Sequence, residues 1–377
     1  RGPERLGTAA TRRRLMRACA SLAVAAALLA SGSGASGSAA ARPATAPIAK
    51  AGTAGRLVGR SARTHATRVQ AYLLSSAPDS LRDLRAHSRS IGVVYPTFFD
   101  CAVPGGRVLG AGSSAVTDYA REQQIAVMPR FDCQDGATVH RILTEPALRA
   151  ATLARLLALA RASAYAGLNL DFENDRATDR GALTSFVAAL AKRLHTMHEK
   201  LSVVVVGVSE DDPRRSTGFY DDRTLAALAD TVFVLAWGAH WEGSAPGAIA
   251  PLAAASATAG YLASLPNASR FVLGAPMYGL DWAESGGPAH PGVAYQYSGI
   301  VALAHSEHAV VRRDAASAEL TFDYTDAEGI PHEVWSMDAT AVAALLWIAH
   351  AHGLATGLWR LGEEDQRVWS SSQVASR

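Results

Sequence analysis

From Val69 onward, the pattern of apolar and polar residues predicts strands that alternate with helices. Alanine- and leucine-rich helical patterns lie between most of the strand-like segments, as in Pro146–Ala164, Asp179–His198 and Met337–His352. Eight β–α units predict an α/β fold, the closed (β/α)8 TIM barrel, whose active site lies at the carboxyl ends of the strands. The eight segments with strand-like patterns are Val69–Leu74, Ile91–Phe99, Ile125–Phe131, Leu168–Glu173, Ser202–Ser209, Val232–Trp237, Phe271–Gly279 and Thr356–Leu361.

The interval of about 280–337 is too long for a loop of a barrel. It contains two strand-like pieces, Glu319–Tyr324 and His332–Trp335, on either side of the turn sequence TDAEG. We therefore expect a small α+β insertion between the seventh and eighth barrel strands that forms one wall of the cleft. Trp347, which lies amid Ala, Leu and Ile in the following helical pattern, is expected in the core.

The most informative segment is residues 165–174, YAGLNLDFEN. Its alternation places Asn169, Asp171 and Glu173 on one face of a strand, with the apolar residues on the other. The Cα atoms of Asp171 and Glu173 should lie about 6.6 Å apart, so repulsion raises the proton affinity of one carboxylate. A Glu that is protonated near neutral pH is what a general acid requires. The alternative is a structural ion pair, for example between Glu173 and Arg130.

The first 41 residues have the order of a secretory signal. Arginines at Arg12–Arg14 precede the apolar run SLAVAAALLASG and a small-residue stretch, with a cut expected after Ala41. Both general secretion and twin-arginine export fit this order, and the apolar run is too short to span a membrane stably. Residues 42–67 are interpreted as a flexible linker and residues 68–377 as the barrel domain. We expect a protein that is secreted, either extracellular or associated with the cell wall, and not inserted in a membrane after processing.

Composition adds little about partners but more about the cysteines. The formal net charge of +2 favours no class of partner, and no basic stripe with interleaved aromatic residues indicates nucleic-acid binding. Cys101 and Cys133, which remain after the signal is removed, each follow the end of neighbouring predicted strands. An exported protein would oxidise such a pair to a disulfide. A metal site is the weaker interpretation, because neither cysteine has a second ligand at metal spacing.

Four motifs occur in order at barrel spacing: GLNLDFE, VLGAPMYGLDW, FDYTDAEGIPHEVWSMD and GLWRLGEEDQRVW. The first resembles the fourth-strand pattern D-G-x-D-x-D-x-E of glycoside hydrolase family 18, the chitinase and N-acetylglucosaminidase family. The others are similar to its seventh strand, insertion and eighth strand. The resemblance covers about residues 69–369, and Asn169 followed by DFEN is similar to the branch that contains spore-cortex and spore-germination peptidoglycan hydrolases.

The resemblance implies a retaining mechanism in which the substrate supplies the nucleophile. The acetamido oxygen of an N-acetylglucosamine unit attacks its own anomeric carbon, while Glu173 protonates the leaving oxygen and then activates water. Asp171 would hold the acetamido N–H and stabilise the oxazolinium cation. Tyr278 and Trp359 would line the sugar subsite, with Trp237 as a further platform. No cofactor or metal is expected, and the protein is expected to be a monomer.

The chain also departs from the family pattern. Ala166 and Asn169 stand where the family has its first two acids, and Trp237 and Gly238 stand where the sixth strand has a Tyr followed by an acid. Asn169 is still expected to bind substrate, and His240 or Trp241 is an alternative donor for the missing Tyr hydroxyl, through an imidazole or indole nitrogen. Loss of one such donor slows catalysis by about a hundred-fold or more.

Two functions from different classes therefore remain. In the first, the protein is a secreted hydrolase of β-1,4-linked glycans that contain N-acetylglucosamine, with peptidoglycan favoured over chitin. In the second, it is a catalytically inactive barrel that binds such glycans as a lectin does. The Asp171 and Glu173 pair favours the enzyme, whereas Trp237 and Gly238 favour the binding protein.

Overall fold

The computed structural model describes residues 68–162, 165–173, 176–212, 216–371 and 374. The expected signal segment, 1–41, and the expected linker, 42–67, lie outside the described residues. So do Asn174 and the last two residues of the predicted helix Pro146–Ala164. Among the described helices, none is both long and apolar enough to cross a membrane.

The described chain alternates strands with helices over most of its length. Its strands are β1 (Val69–Leu73), β2 (Ile91–Pro96), β3 (Phe99–Cys101), β4 (Val108–Gly110), β5 (Ala126–Val127), β6 (Arg130–Cys133), β7 (Gly167–Phe172), β8 (Lys200–Val206), β9 (Thr231–Leu235), β10 (Phe271–Pro276), β11 (Tyr278–Ala283), β12 (Val293–Gln296), β13 (Arg312–Arg313), β14 (Leu320–Thr325), β15 (Pro331–Ser336) and β16 (Ala355–Leu361). Its α-helices are α1 (Pro78–Ala86), α2 (Ser114–Glu122), α3 (Gly136–Thr144), α4 (Pro146–Ala162), α5 (Arg180–His195), α6 (Asp222–Leu228), α7 (Leu252–Ser264), α8 (Tyr297–Ser306) and α9 (Ala339–Ala351).

The barrel closes through parallel pairing between neighbours in the chain. The second predicted strand is split into β2 and β3, and the third into β5 and β6, close to Pro96 and Pro129, which cannot donate to a strand ladder. Pairing nevertheless continues, since β2 pairs with β5 and β3 with β6. From β6 the order runs through β7, β8, β9 and β10 to β16, which pairs with β1. The TIM-barrel prediction is confirmed.

Large aromatic side chains fill the interior of the barrel. The ring of Tyr72 lies 5.0 Å from that of Tyr95 and 4.9 Å from that of Phe233. Gly274 and Gly357 flank Phe233, and a Cβ atom at either position would lie within 2.6 Å of its ring. The two glycines therefore make room for the aromatic layer that supports the cleft above it.

The insertion between the seventh and eighth barrel strands is present as a small α+β unit. Its antiparallel sheet has the order β12-β11-β15-β14-β13, and α8 packs beside it. The predicted hairpin is confirmed as β14 and β15. The seventh strand ends at Pro276 rather than Gly279, because Tyr278 already belongs to β11 of the insertion.

Trp347 contradicts its prediction. Trp347 was expected in the core, but it is 61% exposed on α9, whereas Leu346 and Ile348 on either side of it are buried. Because nearly every position of this helix is apolar, the sequence pattern does not reveal which face turns outward.

Candidate active site

A cleft of about 520 Å³ opens at the carboxyl ends of the barrel strands, beside the insertion. Trp237, Tyr278 and Trp359, three aromatic residues expected at the site, line it together. Carboxylates outnumber arginines in the wall, which gives the cleft a negative field that favours cations and hydrogen-bond donors. The charged residues of the wall are Asp100, Asp132, Asp171, Glu173, Glu242, Glu363, Arg130 and Arg360.

Strand β7 and the residue after it bring Asp171 and Glu173 to the floor of this cleft. The alternation is as expected, because Phe172 packs on Phe186 of α5 with ring centroids 5.5 Å apart, while Asp171 and Glu173 line the cavity. Both carboxylate residues are buried, with Asp171 2% and Glu173 7% exposed. Two carboxylates so close and so poorly solvated cannot both ionise easily.

Glu173 accepts a hydrogen bond from the side-chain amide of Gln134, with the donor nitrogen 3.0 Å from Oε1. Burial raises the pKa of Glu173 well above its usual value, and the charges of Asp171 and Asp132 raise it further. The charge of Arg130 and the hydrogen bond from Gln134 act against this rise. The environment therefore favours a protonated Glu173, as a general acid requires.

Asp171 has a different environment, because it is the partner of Arg130. The Arg130 Nε atom lies 2.5 Å from Asp171 Oδ2, so the ion pair considered for Glu173 is formed by its neighbour. Burial raises the pKa of Asp171, and the charge and hydrogen bond of Arg130 counteract that rise. Asp171 Oδ1 is buried and has no hydrogen-bond partner among the described residues. The pair is thus asymmetric, with Asp171 the easier group to ionise.

The aromatic wall combines packing with unused polar atoms. Trp237 is 7% exposed, and its indole N–H is buried without a hydrogen-bond partner in the described part of the chain. Trp359 contacts Tyr72, with ring centroids 4.9 Å apart. Tyr278 is 3% exposed at the start of the insertion. These rings offer flat apolar faces of the kind that suit a pyranose ring.

The structure does not bring Asn169 and His240 into the cleft wall. Asn169 is fully buried, where it accepts a hydrogen bond from the Tyr72 hydroxyl and donates one to Ser202. His240 is half-buried, and its Nδ1 atom lies 2.9 Å from the Ala245 carbonyl oxygen. Asn169 therefore supports the floor from below, and His240 orders the loop after β9.

Several cleft residues were not identified from the sequence. Asp132 pairs with Arg130 at 2.9 Å, and burial raises the pKa of Asp132 to about 7. Arg360, also in the cleft wall, pairs with Glu363 at 2.7 Å. Burial raises the pKa values of Glu363 and Glu242. The spacing of Arg130 and Asp132 puts both on one face of a strand, which is the available sequence indication.

The predicted disulfide is present between Cys101 and Cys133, whose Sγ atoms are 2.06 Å apart. It joins β3 to β6 directly after Asp100 and Asp132, which occupy paired positions in the two strands. The bond therefore fixes the strands that carry two cleft carboxylates.

One group of potential metal ligands lies outside the cleft wall. Side-chain ligand atoms of Asp83, His87 and Glu364 all lie within 4.8 Å of one another. Glu364 already accepts hydrogen bonds from the Trp369 indole at 2.9 Å and the Gly362 backbone N–H at 2.7 Å. The arrangement is accounted for by these hydrogen bonds.

Residues 116–361 match the model of the family described as Glycosyl hydrolases family 18. The chain belongs to this family. Family 18 relatives include YdhD of Bacillus subtilis (strain 168), named as a sporulation-specific glycosylase, which is 28% identical over 59% of this chain and 53% of its own. The cortical fragment-lytic enzyme of Bacillus anthracis is 25% identical over 60% of this chain and 54% of its own. The chain thus spans about half the length of these relatives.

A solved chitinase structure from Chromobacterium violaceum ATCC 12472 resembles the whole barrel. It has a TM-score of 0.73 and 28% sequence identity, and the match covers 83% of this chain and all of the chitinase chain. The predictions of membership of glycoside hydrolase family 18 and of a TIM barrel are confirmed by these similarities.

The departure from the family 18 pattern at the sixth strand has a visible structural form. Gly238 has φ +89°, a conformation that L side chains rarely adopt, although a Cβ atom there would meet no neighbour within 4 Å. Its backbone N–H donates to the Ile249 carbonyl at 2.9 Å. The local backbone is thus built for glycine, and Trp237, whose indole N–H is buried without a partner among the described residues, lines the cleft just before it.

Proposed function

We propose that this protein hydrolyses β-1,4 linkages of glycans that contain N-acetylglucosamine, by the retaining, substrate-assisted mechanism. The observation that carries the proposal is the asymmetric pair at the cleft floor. Asp171 contacts a cation, whereas Glu173 has its pKa raised by burial and by its neighbours. Such a pair supplies one ionised and one protonated carboxylate at the same pH, which acid catalysis of glycoside cleavage needs.

The proposed reaction uses the two residues in turn. Glu173 donates its proton to the leaving glycosidic oxygen as that bond breaks, and the substrate's acetamido oxygen forms a bond to the anomeric carbon. Asp171 accepts the acetamido N–H and stabilises the positive oxazolinium ion. Water then attacks the anomeric carbon and releases the acetamido oxygen, while Glu173 takes the water's proton. Glu173 ends protonated, and configuration is retained.

Two unused polar atoms support the choice of an N-acetyl group. Asp171 Oδ1 is an acceptor without a partner, and Trp237 Nε1 is a donor without a partner; both are buried in residues that line the cleft. An acetamido group carries one N–H and one carbonyl, so it could satisfy both atoms together. Unpaired buried polar groups cost about 1–3 kcal/mol each, and such a ligand would recover part of that cost.

Peptidoglycan fragments are the preferred substrate in this proposal, with chitin as the other candidate. The support is the similarity to a cortical fragment-lytic enzyme and to a sporulation-specific glycosylase. Similarity to a chitinase structure supports the second polymer.

Product release from purified peptidoglycan and from chitin oligomers tests the proposal, with wild type compared side by side with Glu173→Gln. We expect wild type to release fragments with a new N-acetylglucosamine reducing end. Glu173→Gln should be slower by about 10²–10⁴-fold, since general acid catalysis contributes that much. Glu199→Gln is the matched control, because this residue lies just before β8 at the opposite end of the barrel.

If wild type and Glu173→Gln both bind glycan and neither cuts it, the enzyme proposal fails. The lectin-like alternative then stands, and it is favoured by one specific feature, the Trp237–Gly238 sequence at the sixth strand. In that case Trp237→Tyr is the first substitution by which to seek restored turnover.

We also propose that the enzyme acts outside the cell. Its support is the signal-like order of residues 1–41 and the Cys101–Cys133 disulfide, a bond that persists in oxidising compartments. Mass spectrometry of protein recovered from culture medium should find an N-terminus at Arg42 and an oxidised cysteine pair. Protein retained inside cells with its arginine-rich start intact would contradict export.

A further inference from the structure

We propose that Arg130 is a positioning residue for the proposed hydrolysis, holding Asp171 Oδ2 so that Oδ1 remains available to the substrate. The inference deepens the proposed function and rests on it. Arg130 was considered from the sequence only as a structural partner for Glu173. The structure instead places it against the other carboxylate, in the wall of the same cleft.

The geometry of the contact is set by strand register. In the parallel β6–β7 pair, Arg130 lies opposite Asn169, and Asp132 lies opposite Asp171. The guanidinium group reaches forward to both acids, with Nε 2.5 Å from Asp171 Oδ2 and Nη2 2.9 Å from Asp132 Oδ1. Because the guanidinium is planar and rigid, one contact fixes the direction of the other.

The same guanidinium also contacts the aromatic wall. Its carbon lies 5.2 Å from the centre of the Trp359 ring, a distance at which a cation is attracted to an aromatic face. Arg130 itself is only 6% exposed. It therefore connects the carboxylate that would hold the acetamido group to a ring that would contact the sugar, and it has little freedom to move.

The charge balance explains why a cation is needed here. The strand carries Asn169 where the family pattern has a second acid, and Asn169 uses its amide on Tyr72 and Ser202. Because Asn169 has an amide in place of a carboxyl group, it cannot share a carboxyl proton with Asp171. Arg130 supplies instead a fixed positive charge, and an opposite charge within about 4–6 Å lowers a carboxyl pKa by about 1–3 units.

Other titratable groups surround this contact and act on its pH dependence. Asp132 belongs to the same strand as Arg130, and the remaining groups approach from the other strands and loops around the cleft. The titratable groups that interact by their charge with Arg130, Asp171 or Glu173 are Asp132, Asp100, Tyr72 and Tyr220.

The test compares Arg130→Gln and Arg130→Lys with wild type in pH profiles of kcat and kcat/KM, using soluble N-acetylglucosamine oligomers or muropeptides. Arg130→Gln removes the positive charge, so the pKa values of Asp171 and Glu173 rise. The acidic and basic limbs of the pH profile should then both move to higher pH by about one unit or more. Arg130→Lys keeps the positive charge but loses the planar guanidinium group that contacts two carboxylates at once. Its limbs should stay near those of wild type, while kcat falls by about tenfold.

A merely structural Arg130 would change the amount of active protein without moving either limb, and unmoved limbs in Arg130→Gln overturn the proposal. Arg149→Gln is a matched control for loss of a partly buried guanidinium, because Arg149 stacks on Phe186, away from the cleft. Its profile should coincide with that of wild type.

If Arg130→Gln does not fold, Asp132→Asn provides the decisive measurement. This substitution removes a negative charge that raises the pKa of Glu173. Of its two carboxylate partners, Arg130 then keeps only Asp171. The basic limb should therefore move to lower pH, the opposite direction, and no movement overturns the proposal. Failure of the proposed function is distinguishable from these outcomes, because wild type itself would then show no turnover on either polymer.

Discussion

Trp237 and Asp171, which both line the cleft, carry one buried donor and one buried acceptor, each without a partner among the described residues. Such atoms are rare in folded proteins, and each calls for an explanation. In this chain the explanation is a ligand with the complementary pair. The Tyr hydroxyl that the family pattern places at the sixth strand is thus replaced, in this interpretation, by an indole nitrogen.

Trp237→Phe separates this role from packing. The substitution keeps an aromatic face and removes the N–H, so kcat/KM on short oligomers should fall by about a hundred-fold. Stability should change little, because the lost ring volume costs about as much as the removed unpaired donor. Steady-state kinetics and thermal unfolding measure the two effects separately.

Trp369→Phe is the matched control for Trp237→Phe. Trp369 is equally buried at 8% exposure, but its indole donates to Glu364 at 2.9 Å, outside the cleft wall. This variant should lose about 1–2 kcal/mol of stability and keep wild-type turnover. Unchanged turnover in Trp237→Phe would contradict the proposed donor.

The sequence predicted the inward face of Asp171 and Glu173 because strand alternation is a local property. It did not predict that Arg130 pairs with Asp171, since that choice depends on the register between two strands and on the reach of a long side chain. His240 was expected near the substrate from its place just after the sixth strand, as an alternative donor for the missing Tyr hydroxyl. Its imidazole instead contacts Ala245, five residues away, within its own loop.

At the scale of elements, the order of strands and helices was predictable and their ends were less so. Each of the eight predicted strands is found, because period-two patterns and turn residues recur along the chain. The breaks within the second and third strands lie close to Pro96 and Pro129, whereas the transfer from β10 to β11 at Met277 leaves no interruption in the apolar pattern. That transfer is set by a pairing partner, since the Met277 N–H donates to the Trp359 carbonyl.

Register also explains how several acids come together from distant parts of the sequence. Asp100 lies opposite Asp132, and Asp132 lies opposite Asp171, so three neighbouring strands form a row of aspartates. The Cys101–Cys133 disulfide follows the first two of them directly. The disulfide and the third aspartate are each predictable from the sequence, but the row of aspartates exists only in the closed sheet.

For the whole molecule, buried carboxylates predict the pH dependence of stability. Burial raises the pKa to about 7 for four groups: Asp132, Asp222, Glu319 and Glu364. Their folded pKa values exceed the unfolded values of about 4, so the folded state binds more protons between these limits. The stability that they contribute is fully present below about pH 4 and is lost as pH rises to about 7.

Other carboxylates act in the opposite direction. The pKa values of Asp230 and Asp365 are lowered by hydrogen bonds and nearby cations, so their contribution is lost as pH falls below about 4. Stability should therefore be greatest near pH 5. The unfolding temperature should drop by about 5 °C or more between pH 5 and pH 8, measured by differential scanning fluorimetry.

Asp222→Asn should flatten that decline, because it removes one of the four groups while lying outside the cleft wall. An unfolding temperature that rises steadily from pH 5 to pH 8 in wild type would show that these carboxylates ionise in the folded chain at ordinary pH.

The insertion has a small apolar cluster of its own, made by Ile300, Ala304, Phe322 and Val334, apart from the cluster that fills the barrel. Substitutions in that cluster are thus compensated within the insertion and do not require the barrel to repack. Tyr278, Leu280 and Trp282 of β11 belong to the barrel cluster and should be kept, whereas the segment from α8 to β15 can be exchanged as a unit in protein engineering. Exchanging it would redesign the wall that meets the polymer and leave the reacting carboxylates on their own strands.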